Sequence, residues 1–234
     1  MLISQSHDSL AELIERFNRK ERYIVFQQVA TAGSVELDVS FRSKLRDLGW
    51  PVPDRGVLVL TDYHLNWLYA ALELSAGRWA SAGVDGKAVD DLPQAVDSGT
   101  QKVRYAIEHN QEDIDLLLVW EADGETHLGL VEVKAHSGWS NAQLRSKAAR
   151  LEAVLGREGG QYAGVVPHFA LMSFAAPSKV DTGSWPTWMT DDNGTPQHVK
   201  LVPPLNARLT VGRVDSEGHS SSAGEFYGIR QSTS

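Results

Sequence analysis

Residues 113–134 read DIDLLLVWEADGETHLGLVEVK, and this stretch decides the fold. Two apolar runs in it are separated by Asp123-Gly124, a pair of residues that is typical of the tight turn of a β-hairpin. The sequence therefore predicts two antiparallel strands, Ile114–Glu121 and His127–His136.

Charged residues interrupt this apolar hairpin near one end. Side chains alternate between the two faces of a strand, so Glu132 and Lys134 share one face while Val131 and Val133 share the other. A strand this apolar is normally central, and central strands rarely carry charges unless these are paired or bind a metal. Closing the hairpin brings Asp115 towards the same end. We therefore expect two carboxylates and an ammonium group to meet there.

The chemistry of these groups points to a divalent cation. The carboxylates of Asp115 and Glu132, with the backbone carbonyl of Val133, suit Mg²⁺, for which Mn²⁺ can substitute. Such an ion polarises a phosphoryl oxygen and lowers the pKa of a bound water. The neighbouring Lys134 could orient that water or stabilise charge in the transition state. The pattern predicts phosphodiester hydrolysis by a metal-activated water.

The segments around the hairpin complete a layered fold. Helical periodicity and end signals predict helices at Asp62–Ala76 and Ser140–Leu155, the second ending at Gly156. Further strands are predicted at Lys102–His109 and Val165–Ala175. The order helix, three strands, helix, strand indicates an α/β (mixed α+β) layer around one central mixed sheet.

This arrangement resembles the PD-(D/E)XK nuclease superfamily, whose fold is called restriction-endonuclease-like. The resemblance rests on Asp115, sixteen intervening residues and then Glu132-Val133-Lys134, and it spans roughly residues 62–175. Members share an αβββαβ core and cut DNA, less often RNA, using Mg²⁺. The resemblance implies that Asp115 and Glu132 are metal ligands and that Lys134 is the catalytic lysine. One departure is Ile114, which stands where the family pattern has Pro.

The resemblance also suggests two residues on the flanking helices. Many members add an acid on the first helix, for which Glu73 is the candidate; Asp62 is the alternative, although capping the helix explains it equally well. A solvated surface position is the competing interpretation of Glu73. Some members have a Gln on the second helix, a place that Gln143 fills. Gln143 also fits a capping box with Ser140.

Other interpretations of the charged residues remain open. Glu132 and Lys134 could instead protect an edge strand from aggregation, and Asp113 competes with Asp115 for the metal-ligand role. Three basic residues of the second helix either contact phosphates or form a solvated face: Arg145, Lys147 and Arg150.

The remaining aromatic and histidine residues give weaker signals. Trp185 and Trp188 either stack on bases or pack over the core. The eight histidines show no zinc-binding spacing, and His136 is the one nearest to the predicted site.

Composition excludes several classes of protein. The chain has 234 residues, 22 Lys and Arg against 30 Asp and Glu, a net charge of −8 and no Cys. It therefore has no disulfide scaffold, no Cys-based zinc site and no thiol nucleophile. The negative charge argues against a protein that coats nucleic acid. No leader pattern and no run of 18 apolar residues is found, so we expect a cytoplasmic protein that does not span a membrane.

The sequence thus predicts three regions: an N-terminal α/β extension at residues 1–60, a nuclease-like core at 61–178, and a C-terminal β elaboration at 179–234. The expected function is a Mg²⁺-dependent nuclease that acts on nucleic acid, DNA ahead of RNA, with a homodimer or a partner protein left open. The alternative is a weak or inactive module of the same fold that serves a larger nucleic-acid-processing or defence complex. A third interpretation is a metal-dependent hydrolase of small phosphate esters.

Overall fold

The structure, a computed structural model, describes residues 9–17, 36–78, 92–109, 112–134, 138–201 and 208–232. The apolar run Tyr23–Ala30, which predicts a short strand, lies outside the described residues, and so does His136. The elements are, in chain order, α1 (Leu10–Phe17), α2 (Val39–Asp47), β1 (Leu58–His64), α3 (Leu65–Ser75), β2 (Gln94–Asp97), β3 (Lys102–Tyr105), β4 (Asp113–Ala122), β5 (Glu125–Lys134), α4 (Asn141–Leu155), β6 (Val165–Ser173), a 3₁₀ turn (Thr187–Met189), β7 (His198–Lys200), β8 (Arg208–Val214) and β9 (Phe226–Ser232).

The chain divides into two compact units, Met1–Lys200 and Leu201–Ser234. The second unit contains the antiparallel pair of β8 and β9. Within it Val214 is buried, and a Cβ atom added at Gly228 would lie 2.9 Å from the Val214 side chain. The close approach of these two strands therefore depends on the glycine.

A central mixed sheet organises the first unit, with the strand order β1-β4-β5-β6-β7. Strand β4 runs antiparallel to both of its neighbours, β1 and β5. Strand β6 runs parallel to β5, and β7 runs parallel to β6. The predicted α+β class with one central mixed sheet is confirmed.

The hairpin between β4 and β5 forms as the sequence predicts. Ala122 pairs with Glu125 across the turn, and both central residues have positive φ, 53° at Asp123 and 82° at Gly124. Positive φ at both positions is the geometry of a type I′ turn, which matches the right-handed twist of the strands.

Each face of the sheet packs against its own hydrophobic layer. Side chains of one parity along β4 and β5, such as Leu117 and Leu130, join a core with α1, α3 and α4. Side chains of the other parity, such as Leu118 and Val131, join a core with Leu45 of α2. Alternation along the strands therefore places the sheet between two helical layers, and β5 is buried on both faces.

The first strand of the sheet differs from the prediction. Residues 62–64, expected to begin a helix, instead extend β1, where Tyr63 pairs with Ile114 and His64 with Asp113. The helix begins at Leu65 and is capped by His64, whose Nδ1 accepts the Asn66 N–H at 3.1 Å. The capping role predicted for Asp62 is therefore wrong. Long-range pairing with β4 outweighs the local preference for helix here.

The segment predicted as a third strand of the sheet also lies elsewhere. Lys102–Tyr105 pairs with Gln94–Asp97 as a separate two-stranded ribbon. Both strands of this ribbon pack against α4. The glycines and Asp-Gly pairs of Gly77–Thr100 predict a loop, but residues 94–97 within it belong to this β-structure beside the sheet.

Within the described part of the chain, no helix has the length and apolar character needed to cross a membrane.

Candidate active site

A cleft of about 620 Å³ opens where the ends of β4 and β5 meet the ribbon and the first turns of α4. Its walls include Asp115, Glu132, Lys134 and Gln143, four of the residues that the sequence singled out. The structure therefore brings these side chains to one place. It also adds Asp113, the competing choice for Asp115.

Strand register explains how Asp115 and Glu132 come together. Leu116 of β4 pairs with Val131 of β5, so Asp115 lies beside Glu132 on the neighbouring strand. The Val133 N–H donates a hydrogen bond of 2.7 Å to Asp115 Oδ2. This bond anchors the Asp115 carboxylate at the end of the hairpin.

Strand β5 lies between β4 and β6, so the interpretation of Glu132 and Lys134 as an edge-strand pair is wrong. Glu132 is only 6% exposed. Burial raises the pKa of its carboxyl group to about 7, and the nearby Asp115 charge adds to the rise while Lys147 opposes it. A buried carboxylate that keeps its charge needs a cation beside it.

Lys147 of α4 is that cation in this structure. Its Nζ donates to Glu132 Oε1 and, at 2.6 Å, to the Asp113 carbonyl oxygen. The sequence placed Lys147 either on a phosphate or on a solvated helix face, but its side chain is 13% exposed and paired within the protein. The helix is thereby joined to the end of the hairpin.

The start of α4 follows the prediction. Ser140 Oγ accepts the Gln143 N–H at 3.4 Å and caps the helix. Lys134 and Gln143 both line the cleft, from β5 and from the first turn of α4 respectively.

Glu73 lies elsewhere, and its assignment to the site is corrected. Its carboxylate accepts hydrogen bonds of 2.7 Å from Arg78 and from the Tyr162 hydroxyl group. Burial acts to raise the pKa of Glu73, but these hydrogen bonds outweigh it and hold the pKa below its usual value. Glu73 sits near the C-terminal end of α3, whereas the N-terminal end of that helix follows the strand that pairs with Asp113. Eight or nine residues of helix therefore separate it from the cleft, on the order of 12 Å.

Arg150 is likewise not on a solvated face. It is fully buried and donates to Glu112 at 3.2 Å and to Asn66. Glu112 also accepts from Arg104 of the ribbon at 2.8 Å. A buried ionic network therefore ties α3, α4 and the ribbon together beneath one wall of the cleft. Arg145 lies 3.7 Å from Asp181.

The ribbon provides that wall. Asp97, Lys102 and Arg104 line the cleft from β2 and β3. Asp97 accepts the Gly99 N–H at 2.9 Å and the Thr100 N–H at 3.3 Å. Burial raises the pKa of Asp97, but hydrogen bonds from Thr100 and Gly99 outweigh it, so the net pKa lies below the usual value.

The cleft offers few carboxylate ligands for a metal ion, and Mg²⁺ requires few. Among the described residues, no three His, Asp or Glu side chains converge to form a metal cage. Mg²⁺ needs only one or two carboxylates, because it retains several waters and takes phosphate oxygens as further ligands. Asp115, Glu132 and the Val133 carbonyl could therefore hold the ion when a phosphate completes its shell.

Sequence reasoning missed the ribbon residues and the partners of Lys147. Lys147 lies four residues after Gln143 and therefore on the same face of the helix. This spacing could have indicated that Lys147 faces the predicted site. Arg104 and Glu112 are close in sequence, but their contacts with α4, to Ser146 and Arg150 respectively, join distant parts of the chain. Trp185 is 3% exposed, and Trp188 Nε1 donates to the Gly156 carbonyl at 3.1 Å, so both pack into the protein.

Comparison of the chain with known protein families, with curated proteins and with solved structures yields no match. Its function is therefore inferred from the residues and geometry of the cleft.

Proposed function

We propose that this protein is a Mg²⁺-dependent nuclease of the restriction-endonuclease-like fold, which hydrolyses phosphodiester bonds of nucleic acid, DNA ahead of RNA. The observation that carries the proposal is the cleft in which Asp115, Glu132 and Lys134 meet on two adjacent strands. The Asp115 carboxylate is anchored to the Val133 amide. This arrangement supplies two carboxylates and an ammonium group to one cleft.

The element order supports the same fold. Taken through the central sheet, the chain runs α2, β1, β4, β5, α4, β6, which is helix, three strands, helix, strand. Helix α3 and the ribbon are then insertions between β1 and β4. The proposed first helix of the core is α2 rather than the helix around residues 62–76.

Each residue has a distinct proposed role. Asp115, Glu132 and the Val133 carbonyl would hold Mg²⁺, which supplies an activated water and polarises the phosphoryl oxygen. Lys134 would orient the attacking water and stabilise negative charge on the phosphate. Gln143 would position the water or the phosphate from the start of α4. Lys147 would keep Glu132 ionised, because its ammonium opposes the effect of burial.

The charge of the cleft is consistent with a need for metal. Five acidic side chains line it (Asp97, Glu112, Asp113, Asp115 and Glu132) against four basic ones (Lys102, Arg104, Lys134 and Lys147). A negatively charged nucleic acid should therefore bind weakly to the cleft unless a cation is added. A bound divalent ion would change the net charge of these side chains from negative to positive.

The test is incubation of the purified protein with plasmid, single-stranded DNA and RNA in Mg²⁺, Mn²⁺ or EDTA. Glu132→Gln is preferred to Ala because the amide retains an acceptor for Lys147. We expect the parent to cleave in Mg²⁺ or Mn²⁺ but not in EDTA. The cleavage rate should fall at least about a hundredfold in Glu132→Gln and in Lys134→Met. Glu125→Gln, at the exposed start of the same strand, should cut like the parent. Equal cleavage by all four proteins would refute the proposal.

The net charge of −8 favours one second candidate, a weak or inactive module that relies on a partner to capture nucleic acid. Titration calorimetry with Mn²⁺ distinguishes the two. An active site should bind Mn²⁺ and should lose that binding in Asp115→Asn. A protein that neither binds Mn²⁺ nor cuts any of the three substrates fits the module.

A further inference from the structure

A second cavity of about 400 Å³ adjoins the candidate active site. Lys134 and Trp139 line both cavities and so form their common border. The second cavity therefore begins where the proposed catalytic lysine stands.

The two cavities differ in chemical character. The walls of the second one are largely apolar and include Trp139, Phe174, Pro177 and Val180. Of the described residues that line it, none is acidic and two are lysines, Lys134 and Lys179. A cavity with apolar walls and cationic side chains suits a flat, uncharged ring that is attached to a phosphate.

The far wall is held in place by hydrogen bonds. Asn141, in the first turn of α4, donates to the Lys179 carbonyl at 3.0 Å and accepts the Asp181 N–H at 2.9 Å. Within the loop, Ser173 Oγ donates to the Ala175 carbonyl at 2.7 Å. The loop that follows β6 is thus fastened to the same helix that carries Gln143 and Lys147. These hydrogen bonds fix the position of the loop that lines the cavity.

We propose that this second cavity, the base pocket, holds one unpaired nucleobase next to the scissile phosphate. The substrate is then single-stranded or locally unpaired nucleic acid. This inference rests on the proposed nuclease function, since it places the phosphate of the same nucleotide at Lys134. A base inside a duplex is stacked and cannot enter such a pocket without leaving the helix. Stacking on Trp139 would accept any base, so the pocket selects for strand state rather than for sequence.

Binding can be measured separately from cleavage. In EDTA, fluorescence anisotropy compares a labelled oligothymidylate with a base-free sugar–phosphate strand of equal length and charge, and with a blunt duplex. We expect the parent to bind oligothymidylate about tenfold more tightly than the base-free strand. The duplex should bind no better than the base-free strand.

Two variants alter the pocket in different ways. Ala176→Phe fills it from an exposed position on the loop, with little risk to folding. Trp139→Ala removes the stacking surface, although Trp139 also packs against the core. Both should bring the affinity ratio close to one. The matched control is Ala163→Phe, at an exposed alanine in the turn before β6, which should keep the parental ratio.

The outcomes separate the two proposals. If the parent cuts in Mn²⁺ but its ratio of affinities for oligothymidylate and the base-free strand equals that of Ala176→Phe and Trp139→Ala, the base pocket is refuted and the nuclease function is not. Binding of the duplex as tightly as oligothymidylate does so as well. A parent that cuts nothing in Mn²⁺ overturns the nuclease function and, with it, this assignment. Both proposals are supported if the parent cuts and if the affinity ratio falls to about one in Ala176→Phe and Trp139→Ala while Ala163→Phe keeps the parental ratio.

Discussion

Lys147 connects α4 to the end of β5 through two hydrogen bonds, one to Glu132 and one to the Asp113 carbonyl. Lys147→Met leaves the Glu132 carboxylate buried without its cation. We expect the free energy of unfolding at pH 8 to fall by about 3 kcal/mol, because removing one partner of a buried ion pair leaves the other uncompensated. Urea denaturation followed by circular dichroism measures this loss.

The double variant Glu132→Gln with Lys147→Met is the matched control for that experiment. It removes both charges, so it should recover most of the lost stability. A double variant that is as unstable as the sum of the two single variants would show that the pair does not interact energetically.

His168 makes stability depend on pH. Burial, together with the neighbouring His127, lowers the pKa of His168 from an ordinary value near 6.5 to about 4. His127 Nδ1 and His168 Nε2 lie 2.9 Å apart, and both rings stack with Trp120. In the unfolded chain His168 is therefore protonated below about pH 6.5, whereas in the folded protein it stays neutral until about pH 4. This contribution to stability is complete above pH 6.5 and is lost as the pH falls towards 4.

We expect this loss to amount to about 3 kcal/mol. Urea unfolding of the parent and of His168→Gln at a series of pH values between 7 and 4 measures it. The parent should lose more stability than the variant over this window, since Gln does not titrate. Parallel curves for the two proteins would contradict the prediction.

At the scale of elements, the turn between β4 and β5 sets the register of the strands that carry Asp115 and Glu132. Gly124 has φ of +82°, and a Cβ atom there would meet nothing within 4 Å. Gly124→Ala should therefore cost about 1 kcal/mol of stability through backbone strain alone. Gly160, which has equal space but no positive φ, is the control, and Gly160→Ala should be neutral or slightly stabilising. Denaturant unfolding compares the two, and equal effects would argue against strain at the turn.

For the whole molecule, charge limits how nucleic acid is captured. The net charge is −8, and two of the four cations that line the cleft, Arg104 and Lys147, are already paired with acids. We expect few phosphate contacts. For a single strand in EDTA, log K against log salt concentration should then have a slope of about −1 to −3.

Anisotropy titrations over a range of KCl concentrations give this slope. A slope steeper than about −5 would require a larger basic surface than the described residues provide at the cleft.

Part of this protein follows from the sequence alone. The type I′ hairpin, the shared face of Glu132 and Lys134, and the capped helix from Ser140 to Gly156 depend on local periodicity and turn chemistry. Neighbouring residues determine those features, so a linear pattern is enough to predict them. The common end of β4 and β5 also places Asp115 beside Glu132 once the turn is known.

Only the tertiary structure decides the rest. It pairs Lys147 with Glu132, buries Arg150 against Glu112, and turns Glu73 towards Tyr162 rather than towards the cleft. It also brings residues 58–64 into the central sheet and packs the ribbon against α4. Each of these contacts joins residues far apart in the chain, and its free energy comes from burial and charge pairing that no local pattern encodes.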